Sequence, residues 1–140
     1  MRVMLDTNVL VSALLFPSER MNRMLDHISF FHELALSSFV IDELRAVVAE
    51  KFPSKVAAIN HLLKSMSYEL VLTPKEIPRG LFEIRDAADY PVVYSAMISN
   101  TDVLITGDKD FADVKVDGML ICTPADFLEQ YCTECGFDAT

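Results

Sequence analysis

The chain has 140 residues, 51% of them hydrophobic, and its 21 acidic and 12 basic side chains give a formal net charge of −9. This length suits a single domain with a substantial core, and no uncharged apolar run approaches the roughly 18 residues that indicate a membrane span. The acidity opposes long-range attraction to a polyanion such as RNA. We expect a cytoplasmic protein, with one domain over residues 1–132 and a short C-terminal tail over 133–140.

Strands and helices alternate along the first half of the chain. An apolar run predicts a strand at about residues 2–6, followed by helical material through about residue 30. A second short strand is predicted at 33–37, and a serine cap then predicts a helix from about 39 to 51. Pro53 marks the start of a further helix, so we expect these two helices to pack as an antiparallel pair.

The second half continues the same rhythm. A strand at 70–72 is followed by an irregular segment over 74–88, and Asp89 is well placed to cap a helix from about 90 to 100. The remaining predicted elements are a strand at 103–106, a strand at about 119–122 and a closing helix from Pro124 to about Tyr131. This alternation predicts an α/β domain with a mostly parallel sheet covered on both faces.

Two acids follow apolar runs directly. Asp6 comes after Val3-Met4-Leu5, and Asp108 comes after the run that ends at Gly107. The carboxyl ends of parallel strands line one crevice of an open α/β sheet, so both carboxylates are predicted to lie there. The alternatives are a helix cap for Asp6 and an ordinary turn for Asp108.

Glu43 is a third candidate. On the predicted helix it lies between Val40, Leu44 and Val47, so its carboxylate is predicted to point inward with them. An inward glutamate is costly unless it is paired or bound to a metal. The alternative is a residue at the edge of the apolar stripe that reaches water.

A fourth wall of the site is expected from the start of the helix near residue 90. Asp89 lies there, although a capping role alone would explain it. Asp86 and Asp110 are supporting candidates. A cluster of carboxylates without His or Cys favours Mg²⁺ or Mn²⁺, which can activate a water and steady the leaving oxygen in phosphodiester cleavage.

The C-terminal cysteines form a separate pattern. Cys132-x-x-Cys135 has the spacing of a redox or zinc pair, but no second pair or nearby histidine completes a zinc site. The odd total of three cysteines argues against a disulfide framework. We expect reduced thiols in a weakly ordered tail.

Four short motifs in this order resemble one known family, the PIN-domain ribonucleases, and in particular the VapC-like toxins of toxin–antitoxin pairs. The resemblance covers nearly the whole chain. The motifs are Leu5-Asp6-Thr7-Asn8-Val9, Ser38-x-x-x-x-Glu43, Arg85-Asp86-x-x-Asp89-x-Pro91 and Ile105-Thr106-Gly107-Asp108-Lys109-Asp110-Phe111.

The resemblance implies a Rossmann-like, three-layer α/β/α PIN fold and an Mg²⁺- or Mn²⁺-dependent endoribonuclease acting on single-stranded or structured RNA. It also implies a homodimer, silenced by an antitoxin whose tail covers the acidic cleft. Asn8 and Thr106 would orient the first and last acids, and Asp110 would assist. The implied catalytic and metal-binding residues are Asp6, Glu43, Asp89 and Asp108.

Two other functions fit part of the pattern. A phosphatase of the haloacid-dehalogenase type also begins with a strand that ends in Asp, but it needs a second acid two residues later, where this chain has Asn8. A non-catalytic PIN-like binding module, whose acids hold a structural ion or a basic partner, accommodates the negative charge more easily. Metal-dependent cleavage of RNA would separate these possibilities.

Overall fold

The computed structural model of the protein describes residues 1–111 and 113–132. The predicted tail over 133–140, and with it Cys135, lies outside the described residues. Cys132 is buried against the core. Within the described ranges, no helix has the length and apolar character needed to cross a membrane.

The centre of the molecule is a five-stranded sheet in the order β3-β2-β1-β4-β5. Every neighbouring pair is parallel, as the alternation of elements predicted. In the middle of the sheet, Met4 lies in register with Ala35 on one side and Leu104 on the other. The strands are β1 (Arg2–Leu5), β2 (Glu33–Ser37), β3 (Glu69–Val71), β4 (Val103–Ile105) and β5 (Leu120–Cys122).

Both faces of the sheet are covered. Successive strand residues point to opposite faces, and Val3, Met4 and Leu5 are all fully buried. The three-layer arrangement expected from the sequence is therefore present. The covering helices are α1 (Thr7–Leu15), α2 (Glu19–Phe31), α3 (Ser38–Lys51), α4 (Val56–Ser65), α5 (Tyr90–Ile98) and α6 (Pro124–Phe127), the last continuing as a π-helical turn over Leu128–Cys132.

Some boundaries differ from the prediction for local reasons. The helical material before residue 30 is two helices, because Pro17 has no amide hydrogen to continue α1. Ser18 then starts α2, and its side chain accepts a hydrogen bond from the Met21 amide. Pro53 begins a short 3-10 turn, Pro53–Lys55, rather than α4 itself. This turn joins α3 to α4, and the two helices pack against each other.

The strand order places a crevice between β1 and β4. From β1 the chain moves outward to β2 and β3, and it then returns to the other side of β1 to form β4 and β5. The loops after β1 and β4 therefore leave the sheet in opposite directions. In parallel α/β sheets this switch point is where ligands bind, at the carboxyl ends of the strands.

Candidate metal centre

Asp6 lies at the switch point and is buried. Its backbone amide donates to the Ile105 carbonyl at 3.0 Å, which continues the pairing of β1 with β4. The Thr7 amide donates to its Oδ1 at 2.7 Å, and the Thr106 hydroxyl donates to its Oδ2 at 2.7 Å. Asp6 is thus the N-cap of α1, as one alternative held, and also faces the crevice with both oxygens fixed.

The electrostatic environment of Asp6 shows which acids lie nearby. Burial raises the pKa of Asp6, and the hydrogen bonds from Thr106 and Thr7 partly oppose that change. The negative charges of Glu43 and Asp108 raise the pKa further. Glu43 of α3 and Asp108 after β4 therefore both lie close enough to Asp6 to act on its charge.

Thr106 connects the first strand-end acid to the last. Its hydroxyl donates to Asp6 and accepts a hydrogen bond from the Asp108 amide at 3.1 Å. The carboxylate of Asp108 in turn accepts from the Asp110 amide at 2.8 Å, which closes the turn after β4. Thr106 therefore orients both ends of the predicted set, whereas the resemblance implied a role at the last acid alone.

Asn8 does not fill the place expected for it. It is exposed, and within the described ranges its side chain makes no hydrogen bond to Asp6. The neighbouring residue Thr7 makes that contact through its amide, and its hydroxyl also donates to Glu43 Oε1. Sequence reasoning did not select Thr7, although a hydroxyl at the first helical position beside a buried acid is a signal that could have identified it.

Glu43 lies at the edge of α3 rather than among its inward residues. It is exposed, whereas Val40 and Leu44 are buried together with Ile41 and Val48. The prediction of an inward carboxylate was therefore wrong, because the apolar stripe of α3 is centred on the other side of Leu44. The hydrogen bond from Thr7 nevertheless holds the Glu43 carboxylate close to Asp6.

Asp89 begins α5 without capping it. Its side chain makes no capping hydrogen bond, so the predicted cap was wrong. Asp86 supplies the local cap instead, accepting from the Ala88 amide at 2.9 Å in the turn Ala87–Asp89. Because its side chain is not used by the helix, Asp89 is available to the crevice.

The pKa of Asp89 is raised to about 6. Burial is the main cause, followed by the negative charges of Asp108, Asp86, Asp6 and Asp110. Oδ2 of Asp89 is buried, and no hydrogen-bond partner for it lies within residues 1–111 and 113–132. An acid whose charge is disfavoured in this way is typical of a functional site.

Among the described residues, one group of three carboxylates lies close together, and it contains one of the four predicted ligands, Asp89. Candidate ligand oxygens of Asp86, Asp89 and Asp110 all lie within 4.8 Å of one another. The sequence assigned Asp86 and Asp110 only supporting roles. Asp6, Glu43 and Asp108 lie outside that group, and the short turn from Asp108 to Asp110 joins the two sets.

A second hydrogen-bond network holds the surrounding elements together. The Thr73 amide, just after β3, donates to the Ser38 hydroxyl at 2.9 Å, and the Thr73 hydroxyl bonds that of Ser95 at 2.7 Å. Ser95 is fully buried and also donates to the Pro91 carbonyl. This network connects the first residue of α3 to the second turn of α5. Glu43 lies on α3, and Asp89 immediately precedes α5.

The donor set fits a hard divalent cation. Every candidate ligand atom is a carboxylate oxygen, which is the chemistry that Mg²⁺ and Mn²⁺ prefer. The buried, unpartnered oxygen of Asp89 and the raised pKa values of Asp6 and Asp89 show negative charge that nearby protein groups do not balance. A bound cation would remove that repulsion.

Comparisons with known proteins agree with this architecture. The PIN domain family model matches residues 2–110. Among solved structures, a chain from the crystal structure of VapBC2 from Rickettsia felis, bound to a DNA fragment from their promoter, has a TM-score of 0.66 at 18% sequence identity. That match covers 86% of this chain and 97% of the other, and at this identity it shows a shared fold. No curated protein sequence matches the chain significantly.

Proposed function

Because the chain belongs to the PIN domain family, as its motifs had indicated, we propose that it is an endoribonuclease that uses Mg²⁺ or Mn²⁺ to hydrolyse RNA phosphodiester bonds. We further propose that it is the toxin of a type II toxin–antitoxin pair. The observation that carries the nuclease proposal is the state of Asp89. Its carboxylate is partly buried, its Oδ2 atom has no partner among the described residues, and its pKa is raised to about 6 by burial and four neighbouring acids.

The side chains of the site have different proposed roles. Asp6, Asp89 and Asp108 would hold the cation, with Asp86 and Asp110 adding carboxylates from the adjoining turns. When bound, such a cation lowers the pKa of a water molecule and neutralises charge on the scissile phosphate. Thr106 keeps Asp6 and the Asp108 backbone in fixed relation, so the ligands need little rearrangement.

Glu43 has a different place in this arrangement. It is exposed at the rim of the crevice and is tied to the site by the Thr7 hydroxyl. A carboxylate in that position can accept a proton from a nearby water while remaining accessible to solvent. We assign Glu43 to proton transfer and orientation at the rim.

The net charge of −9 is compatible with an RNA substrate if the repulsion is local. Several of the 21 acids belong to this one cluster, so divalent cations would cancel much of the charge that an approaching phosphate meets. Affinity for RNA should therefore depend on the cation as strongly as catalysis does.

The proposed partner is an antitoxin with a basic segment that lies over the carboxylate cluster. The similar chain from Rickettsia felis belongs to a structure of VapBC2 bound to promoter DNA, which supports a partner of this kind for a protein of this fold. An acidic crevice complements a basic peptide. The homodimer expected from the resemblance stays a prediction.

Cleavage of a single-stranded RNA in Mn²⁺ tests the proposed function. We expect wild-type cleavage that stops with a chelator, and a loss of about 100-fold or more in Asp6→Asn and Asp108→Asn, since each removes a charged group from the reacting centre. Asp117→Asn is the matched control, because Asp117 is exposed in the loop that leads into β5. Cleavage that persists in chelator or in both site variants would contradict the metal-dependent mechanism. Mn²⁺ binding by calorimetry without cleavage of any RNA would instead favour the non-catalytic binding module.

A further inference from the structure

One basic side chain lies at the edge of the carboxylate cluster. Arg85 Nη1 is 3.6 Å from Oδ1 of Asp110, and its Nη2 is 3.7 Å from Oδ2 of Asp113. Asp110 belongs to the group of three acids whose oxygens lie within 4.8 Å. Among the described residues, no other lysine or arginine forms an ion pair with a member of that group.

The two contacts of Arg85 are loose. Both distances exceed the 2.7–2.9 Å of charge-assisted hydrogen bonds, so the guanidinium is placed between two acids without being locked to either. The Arg85 side chain is 66% exposed, and that of Asp113 is 90% exposed. Ion pairs with this exposure contribute little to stability, so separating them costs little.

Arg79, which precedes Arg85 in the same irregular segment, is differently engaged. Its guanidinium lies 4.6 Å from the centre of the Tyr90 ring. The Tyr90 ring is in turn stacked on Phe82, with centroids 4.1 Å apart. Arg79 is therefore held by an aromatic face, whereas the donors of Arg85 remain available at the mouth of the crevice.

We propose that Arg85 binds a non-bridging phosphate oxygen of the RNA next to the cleavage site, exchanging its contact with Asp110 for the substrate. The planar guanidinium fork matches a phosphate in two-point contact better than an ammonium group does. The exchange leaves Asp110 as a carboxylate ligand within the cluster. This proposal rests on the proposed ribonuclease function, because it concerns the substrate of that same site.

Steady-state cleavage of a defined RNA at several salt concentrations tests the proposal. We expect Arg85→Ala to raise KM by about tenfold with a smaller change in kcat, and to reduce the slope of log affinity against log salt by about 0.7 to 1, the value for one lost phosphate contact. Arg85→Lys keeps a point charge, so it should restore the salt slope while KM recovers only in part. Lys64→Ala removes the same charge from an exposed position in the last turn of α4 and should change neither quantity.

Asp113→Asn provides a test in the opposite direction. This change removes the negative charge of Asp113, which competes with the RNA phosphate for Arg85, so KM should fall while kcat stays unchanged. Mn²⁺ affinity, measured by calorimetry without RNA, should be equal or higher in Arg85→Ala, because a neighbouring positive charge has been removed from Asp110.

The possible failures are distinguishable. If Arg85→Ala cleaves RNA with wild-type KM and salt slope, Arg85 only balances charge and the proposal is wrong, while the ribonuclease function stands. If Arg85→Ala weakens Mn²⁺ binding, the arginine holds Asp110 in place and the proposal is also wrong. If the wild-type protein cleaves no RNA, the proposed function fails first, and this inference fails with it.

Discussion

The acidic residues at the two edges of the central sheet have opposite electrostatic environments. At the amino edge, the Arg2 guanidinium bonds Glu69 and lies 4.0 Å from Glu33, and the Arg2 amide donates to Asp102 at 2.8 Å. Arg2 lowers the pKa of Glu69. At the carboxyl edge, burial and neighbouring acids raise the pKa of Asp6 and Asp89.

This difference separates charges that support the fold from charges that burden it. A carboxylate beside a guanidinium favours the folded state, and one that is desolvated among other acids opposes it. At the amino edge, Arg2 pairs with two acids. At the carboxyl edge, no ion pair among the described residues involves Asp6, Asp89 or Asp108, and Asp110 has the loose contact with Arg85. The mutual repulsion of the acids at the carboxyl edge is what the proposed cation would neutralise, and such uncompensated charge is typical of a functional site.

The largest expected effect comes from matched threonines at the two edges. Thr106→Val removes the hydroxyl that holds Asp6 and the Asp108 amide, and Thr101→Val removes one bonded to Ser99 just before β4. The loss of the buried hydroxyl hydrogen bonds in each variant should reduce the free energy of unfolding by about 1–3 kcal/mol. Only Thr106→Val should also reduce RNA cleavage, by about 100-fold, because it disturbs the ligands. Equal cleavage in the two variants would contradict the special role of the carboxyl edge.

The next effect is stabilisation by Mn²⁺. At a concentration of about 100 times Kd, the cation should raise the free energy of unfolding of the wild-type protein by about 2.7 kcal/mol. Asp89→Asn should lose most of this gain, and Asp117→Asn should retain it. Thermal unfolding with and without Mn²⁺ measures the difference. The same gain in Asp89→Asn would place the cation elsewhere.

A smaller effect is the pH dependence that Asp89 imposes. Its pKa is raised from 3.8 to about 6 on folding, so the folded state binds the proton more tightly than the unfolded state does. The resulting destabilisation is absent below about pH 4 and fully present above about pH 6. Without metal, Asp89→Asn should therefore raise the free energy of unfolding by about 1 kcal/mol at pH 7, after allowance for solvent screening, and leave it unchanged near pH 3. Denaturant titrations at both pH values would show this, and a loss of stability at pH 7 would contradict it.

The smallest expected effect is at the amino edge, where replacing Glu69 should change the stability at pH 7 in the opposite direction to replacing Asp89. Since Arg2 lowers the pKa of Glu69, that carboxylate contributes stability above its unfolded pKa, and the contribution is lost as the pH falls through the lower folded value. Glu69→Gln should therefore slightly destabilise the protein at pH 7, and the difference should vanish in acid. A stabilising effect at pH 7 would remove the contrast between the two edges.

Much of the fold followed from local pattern. Apolar runs of strand length, separated by helical segments, predicted all five strands and the parallel sheet. The pattern is clearest in β1 and β4, where burial of both faces leaves a continuous hydrophobic signature. The division of the first helical segment at Pro17 was missed, although proline and the Ser18 cap are both local signals. Strand ends were correct to within a residue or two, as expected where pairing fades.

The site was predictable only in part. Asp6 and Asp108 could be assigned from the ends of their strands, since the carboxyl edge of a parallel sheet is shared. Asp89 was predicted to cap the helix, but Asp86 supplies the local cap. Either residue could cap the turn, and the sequence does not say which side chain does so. Thr7 was missed because its hydroxyl acts on Glu43, 36 positions away.

The amino-acid order by itself determined the elements, their parallel arrangement and the presence of acids at the strand ends, because periodicity, caps and turn residues act over a few neighbouring positions. Only the tertiary structure decided which oxygens converge, that Thr106 joins Asp6 to the Asp108 backbone, and that Asp89 remains unpaired by its own helix. These features depend on the packing of distant segments and on the removal of water between them. Burial and mutual charge, which together raise the pKa of Asp89, arise only when the chain has folded.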